Sequence, residues 1–430
     1  GQTAKIQLSP EQRTGHAPTP SLAPATSFGE PLPDRVVRGI LFARLTSFVS
    51  GNAAVTPELA VAVAKMLDAD QVPEVPSLGT GGAGEIQPLS HLFSGISRVH
   101  ELRTKEPLAL VNGSPVASAL IADAALAAQR RVALATEVFA LSIEALKAPL
   151  DAYDSDLAAL WDDPCETRIL RQFSALLEGA TTDRRPYQAP VSWRILPRVL
   201  GQTLRAARQA ADSAETALRS ITDNPVFIPP DPKRPDPATP HGRVLSNGSY
   251  QNARATPALD ALAASYADLA TLCDRHSAKL LDGAVSLLPQ GLTHEDAPVG
   301  TYLGCIPMAA VGYAEQARHA AQTTLLPGSE SGGFAANDIS PPTLLAWRKQ
   351  ATAGHALDCT LAAVSSVAAQ AFHVTDRTPP PNLQPLLNVI RNSIPPIEGP
   401  ERIGPRLEHL AHQYTSRVFD LDAAVLDGPE

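Results

Sequence analysis

The amino-acid sequence predicts a mainly α-helical fold, a large bundle of long helices with few short strands. Three observations carry this. Apolar residues recur at helical spacing through five long stretches, 112–147, 203–221, 256–281, 301–323 and 341–373. Alanine dominates the faces of these stretches, which lets helices approach closely. Strand signals are confined to Val226-Phe227 and Val244-Leu245, and no period of roughly 20–50 residues repeats, which argues against a solenoid.

Taken in order, the first unusual segment is 77–91, SLGTGGAGEIQPLSH. Glycines permit a tight turn and close backbone approach. Glu85 and Pro88 then suit the first turn of a helix, the acid facing its positive end. The long stretch 112–147 follows, with Gln129, Arg130 and Arg131 between its apolar positions. After the stretch 203–221, the two short strand signals predict a small hairpin. Between them residues 228–243 hold six prolines, which excludes a helix or a central strand and predicts a surface loop or crossing arm. The prolines at 379–381 end the last long helix after His373.

Composition narrows the class. The 430 residues, 44 % hydrophobic, are enough for a large core. A net charge of -9 disfavours nucleic acid and anionic membrane as partners. No run approaches the roughly 18 apolar residues of a membrane span. Cys165, Cys273, Cys305 and Cys359 are widely spaced and lack a CxxC, as suits reduced thiols in a cytoplasmic protein. The eleven histidines form no HExxH or similar spacing, so no metal is expected.

Four stretches read together are more specific: GTGGAGEIQPLSH (79–91), KEPLALVNGS (105–114), QAPVSWRILPRVLG (188–201) and SITDNPVF (220–227). In that order they resemble the aromatic amino acid ammonia-lyase and aminomutase family, the histidine and phenylalanine lyases. That family has an Ala-Ser-Gly turn followed by Asp-Leu-x-Pro-Leu-x-His, then Glu-Gly-Leu-Ala-Leu-x-Asn-Gly, an Arg two residues before the Pro of a Gln-Pro pair, and Thr-Asp-Asn-Pro. Weaker echoes are ILFARLTSFVSG, NGSYQN (247–252), which sits where Gly-Asn-Phe-His occurs, and LCDRH (272–276). The resemblance covers 1–430, read as one lyase-like helical domain with an N-terminal part, 1–111, and a central and C-terminal bundle, 112–430. It implies the helical fold of the histidine and phenylalanine lyases and a homotetramer with shared active sites.

The resemblance also exposes departures. In the family the Ala-Ser-Gly turn cyclises and dehydrates to methylidene-imidazolone, an electrophile whose methylene is the former serine Cβ. Aligned back from His91, the turn here is Gly82-Ala83-Gly84, and Ala83 stands at the serine. Alanine has no β leaving group, so the electrophile is expected to be absent and no cofactor is assigned. Other positions depart too. Val191 stands at the family's catalytic tyrosine, Gly332-Gly333 at a Gln-Glu pair, Gln251 at a histidine, and Ala23-Pro24 at a ring-selecting Ser-His pair. One such change would suit an engineered knock-out; changes scattered over five places suit divergence. The family's basic tyrosine lies on a loop ending in a Gly that aligns with Gly1, so that loop is expected upstream.

Arg194 remains, and a guanidinium can grip a carboxylate with two parallel hydrogen bonds. Asn112 and Gln188 remain as neutral donors beside it. Arg194 is expected in a cleft with Asn112, Ala83 and Gln188, unpaired with any protein acid. Asn224 is read first as a turn and capping residue and second as a ligand contact; Gln251 joins the expected substrate set. His91 is either a helix histidine bonded to a backbone carbonyl or catalytic. Tyr250 adds a hydroxyl where the family has Phe, as packing or as a catalytic group. The function implied is elimination, or conjugate addition and cyclisation, without the electrophile. Its substrate would be a small carboxylate-bearing, amino-acid-derived molecule of secondary metabolism. Two alternatives stand beside it: a non-catalytic carboxylate-binding scaffold, and a trimethylamine lyase resembling ergothionase.

Overall fold

The structure is a computed structural model and describes residues 24–329 and 336–416. In chain order the helices and strands are α1 (Asp34–Val49), α2 (Pro57–Asp68), α3 (Ile86–Phe93), α4 (Glu106–Val111), α5 (Pro115–Leu146), α6 (Leu157–Trp161), α7 (Pro164–Leu176), α8 (Val191–Arg194), α9 (Leu196–Arg219), β1 (Val226–Ile228), β2 (Arg243–Leu245), α10 (Ala255–Leu281), α11 (Gly283–Ser286), α12 (Cys305–Ala320), α13 (Thr343–Val374), α14 (Gln384–Ser393) and α15 (Gly404–Ser416). The five long stretches expected from periodicity are α5, α9, α10, α12 and α13. Helix α9 starts seven residues before the expected 203, with Pro197 tolerated in its first turn. Helix α12 is shorter at both ends than 301–323.

Local chemistry sets several boundaries. Thr56 accepts the Leu59 N–H at 3.3 Å and Pro57 opens α2. Asp163 accepts the N–H groups of Cys165 and Glu166, both at 2.9 Å, ahead of Pro164 in α7. The hairpin forms as expected, β1 antiparallel to β2 with Phe227 opposite Val244.

The chain forms two compact units. The first comprises residues up to Ala125 with Ala210–Leu259 and Thr324–Arg348; the second comprises Leu126–Gln209, Asp260–Thr323 and the chain from Lys349 onward. In the first, α1 packs on α2 and α3 on α4. The buried stripe of α1 is Val36, Val37, Ile40, Leu41, Arg44 and Phe48. In the second, Arg131 and Asp358 tie α5 to α13 through two hydrogen bonds of 3.0 and 2.8 Å.

One expectation needs correction. Glu106–Leu146 and Thr343–Val374 are long and apolar enough to cross a membrane, with mean hydropathies of 1.4 and 1.2. Alanine raises their hydropathy without long apolar runs. Their apolar windows are 78 % and 89 % buried within the protein, which makes them core helices.

Candidate functional site

The first unit builds its site around the glycine-rich turn. Gly79, Gly82 and Gly84 have φ of +65°, +108° and +67°, a region that side chains avoid. The Gly82 N–H donates to Ser340 Oγ at 2.7 Å, which pins the turn to the segment before α13. Ala83, half-buried, carries a methyl group between these glycines. A Cβ added at Gly84 would lie 3.4 Å from Tyr250 Cδ2, so the Tyr250 ring covers the turn.

Glu85 follows the turn and corrects one expectation. It precedes α3 but does not cap that helix with its side chain. Its carboxylate instead accepts the N–H groups of Val116 (2.6 Å) and Ala117 (2.8 Å) in the first turn of α5. Helix α5 is the longer of the two, and its free N–H groups bind the acid strongly. Burial pushes the Glu85 carboxyl up to about 8, against the opposing pull of those donors and of Arg44.

Arg44 is fully buried on α1. Its Nη2 donates to the Asn112 backbone carbonyl. Its Nε and Nη1 have no partner among the described residues. Burial lowers its pKa to about 10, opposed by the charges of Asp223 and Glu85. Asp223 is fully buried and pairs with Lys105 at 2.8 Å. Gly113, at φ +88°, gives Arg44 room: a Cβ there would meet Thr222 Oγ1 at 3.1 Å and Arg44 Nη1 at 3.4 Å.

Asn112 and Asn224 meet directly, the Asn112 Nδ2 donating to the Asn224 carbonyl. The Asn224 Oδ1 accepts the Asn247 N–H at 2.9 Å, so its side chain joins two loops as a turn residue does. The Asn247 Nδ2 donates to the Asp223 carbonyl at 3.1 Å. This lattice fixes the segment that presents Tyr250. Gln251 lines a groove with Ser114, Thr222 and Arg254. His91, on α3, has an Nε2 that is buried and without a partner among the described residues, so the expected bond from that nitrogen to a carbonyl is not seen there.

Gln188 and Arg194 lie in the second unit, apart by unit from Ala83 and Asn112. Both are exposed. The Arg194 Nε donates to the Ala189 carbonyl at 3.0 Å, and no carboxylate pairs with it among the described residues. Its neighbour Trp193 is fully buried and stacks on His276 with centroids 3.6 Å apart and planes at 4°. The His276 Nδ1 and Ser142 Oγ lie 3.0 Å apart, and burial holds the imidazole neutral, its pKa lowered to about 3. Tyr153 donates its hydroxyl to the Trp193 carbonyl at 2.8 Å. Helix α8 is thus anchored inward by Trp193 while Arg194 faces outward. Val191 is exposed at the start of α8, and Pro24 lies exposed in the first unit. Gly1, Ala23, Gly332 and Gly333 lie outside the described residues.

Sequence reasoning missed Arg44 and the true partner of Glu85. The signal for Arg44 was present: a lone arginine on an otherwise apolar stripe at helical spacing. Among the described residues no group of three or more His, Cys, Asp or Glu could hold a metal ion.

Comparison with known proteins agrees with this architecture. The sequence profile described as aromatic amino acid lyase matches residues 1–97 and 94–392. The histidine ammonia-lyase of Aromatoleum aromaticum is 28 % identical, covering 93 % of this chain and 79 % of its own. That of Rhodospirillum rubrum is 27 % identical, covering 93 % and 82 %. The fold is shared with histidine ammonia-lyase from Trypanosoma cruzi (TM-score 0.79, 21 % identity, 91 % and 78 % covered). It is also shared with ergothionase from Treponema denticola (TM-score 0.81, 20 % identity, 91 % and 82 % covered). The chain belongs to the aromatic amino acid lyase family.

Proposed function

We propose that this protein is a lyase-like enzyme that works without methylidene-imidazolone. It would catalyse elimination, or conjugate addition and cyclisation, on a small carboxylate-bearing, amino-acid-derived substrate. The observation that carries this is residue 83. The turn keeps its glycine geometry, yet the side chain at its centre is a methyl with no leaving group. The residues present therefore do not fit the family's prosthetic group.

Without the electrophile the substrate must supply a good leaving group or an unsaturated acceptor. In elimination a base removes the β-proton, the leaving group departs with its bonding electrons, and a carbon–carbon double bond forms. Arg194 offers a two-pronged site for the substrate carboxylate, and Gln188, in the same unit, offers a neutral hydrogen bond. Tyr250, over the turn, is the candidate to hold or move a proton. Subunits sharing active sites in a homotetramer, in a cytoplasmic setting, complete the proposal.

The test is turnover. The full chain is offered histidine and, separately, amino acids with a good β leaving group. The proposal expects no ammonia from histidine and olefin formation from the second set. Arg194→Ala should lower kcat/KM about ten- to a hundredfold, and Arg194→Lys should restore little of it. Binding of amino-acid carboxylates with no turnover of any would favour the non-catalytic scaffold instead.

A further inference from the structure

A groove of about 390 Å³ in the first unit lies among the end of α9, the 247–252 segment and the start of α10. Its size suits a small molecule, and its lining includes neither Ala83 nor Gly84. Hydroxyl groups dominate it. Ser213 and Thr216 share one face of α9 at i and i+3, and Ser220 follows directly after its last residue. Some lining hydroxyls are already used: Ser220 donates to the Thr216 carbonyl, Thr222 accepts the Ser114 N–H, and Ser249 bonds Asn247. Ser114 Oγ has no hydrogen-bond partner among the described residues, and Ser213 and Thr216 line the groove beside it.

Ser114 is the telling member. It is 1 % exposed and its Oγ is buried without a partner among the described residues. A serine just before a helix ordinarily caps it through the N2 or N3 N–H. Here Glu85 has taken both N–H groups, of Val116 and Ala117, which leaves the Ser114 hydroxyl unused beside the groove. An unpaired buried hydroxyl is costly, and a ligand group would relieve that cost. At the other end Arg254 is exposed and pairs with no acid among the described residues, at the positive end of the 27-residue helix α10. The Gln251 side chain lines the wall between.

We propose that this groove binds a small polyhydroxylated anion. Its carboxylate or phosphate sits on Arg254 at the start of α10, and its hydroxyls meet Ser114, Ser213 and Thr216. The assignment gives Gln251 a place in this groove as well as in the expected substrate set. It does not depend on the reaction at the turn.

Calorimetric titration of the full chain tests this with gluconate and with glycerol 3-phosphate, against sorbitol and acetate. At least one of the two hydroxylated anions should bind saturably, and more tightly than either control; whichever binds tighter identifies carboxylate or phosphate as the preferred anion. Arg254→Gln should weaken binding about tenfold or more, and Ser114→Ala or Thr216→Val about three- to tenfold each. Thr216, half-buried, stands in if Ser114→Ala unfolds. Arg194→Ala should leave this affinity within about twofold. Absence of saturable binding by both anions, or sorbitol binding as tightly, would overturn the proposal. So would loss of binding in Arg194→Ala with Arg254→Gln unchanged.

Discussion

Two buried arginines, one in each unit, are treated in opposite ways. Arg131 is fully served: Asp358 takes Nε and Nη2 at 3.0 and 2.8 Å, and the guanidinium lies 5.2 Å from the centre of the Tyr266 ring. The Asp358 charge raises the Arg131 pKa despite burial. Arg44 has a backbone carbonyl, the Phe48 ring centre 5.7 Å from its guanidinium, and two nitrogens with no hydrogen-bond partner among the described residues, and burial lowers its pKa. A saturated ion pair locks two long helices together. An under-served cation beside the degenerate turn is expensive, and such costs are tolerated where function needs the charge.

The largest expected effect comes from breaking the saturated pair. Asp358→Ala would leave Arg131 buried and uncompensated and should cost about 3–5 kcal/mol in urea unfolding. Replacing both partners by apolar residues should recover most of it. Gly354→Ala comes next, because a Cβ there would lie 2.5 Å from Arg131 Cζ. Displacing a planar group from a packed helix face should cost about 1–3 kcal/mol in the same assay. Arg44→Met should cost less than Asp358→Ala, since it removes no carboxylate hydrogen bond. A loss as large as that of Asp358→Ala would erase the contrast between the two arginines.

The smallest effect is in pH dependence. Glu85 has a folded pKa of about 8, above its unfolded carboxylate value. Between those values the native state holds a proton that the unfolded state has lost. Stability from this group is therefore full below the unfolded value and is lost as pH rises toward and through about 8. Glu85→Gln should flatten that part of the stability profile, costing about 1 kcal/mol at low pH, where one N–H of α5 loses its acceptor, and progressively less as pH rises toward about 8. An unchanged slope would mean that Glu85 stays ionised at the α5 terminus.

Much of the architecture was legible because periodicity and proline act locally. Helices α5, α10 and α13 begin and end within about three residues of their periodic stretches, and the hairpin flanks its proline-rich arm. The glycine turn was legible for the same reason, since three positive φ angles need three glycines. What was hidden depends on distant partners. Glu85 caps a helix that begins thirty residues later. The stack of Trp193 on His276, which anchors α8 and its Arg194, joins positions 83 residues apart. Arg44 lies on an apolar stripe, and periodicity alone treats such a residue as an exception.

The central claim is that the turn at Gly82-Ala83-Gly84 carries no electrophile, and intact-mass measurement of the purified chain tests it most directly. The account predicts the mass of the unmodified sequence, with Ala83 recovered as ordinary alanine in the peptide spanning the turn. A mass short by one water, localised to that peptide, would show that the turn cyclises after all. A deficit of two waters there would contradict the account outright.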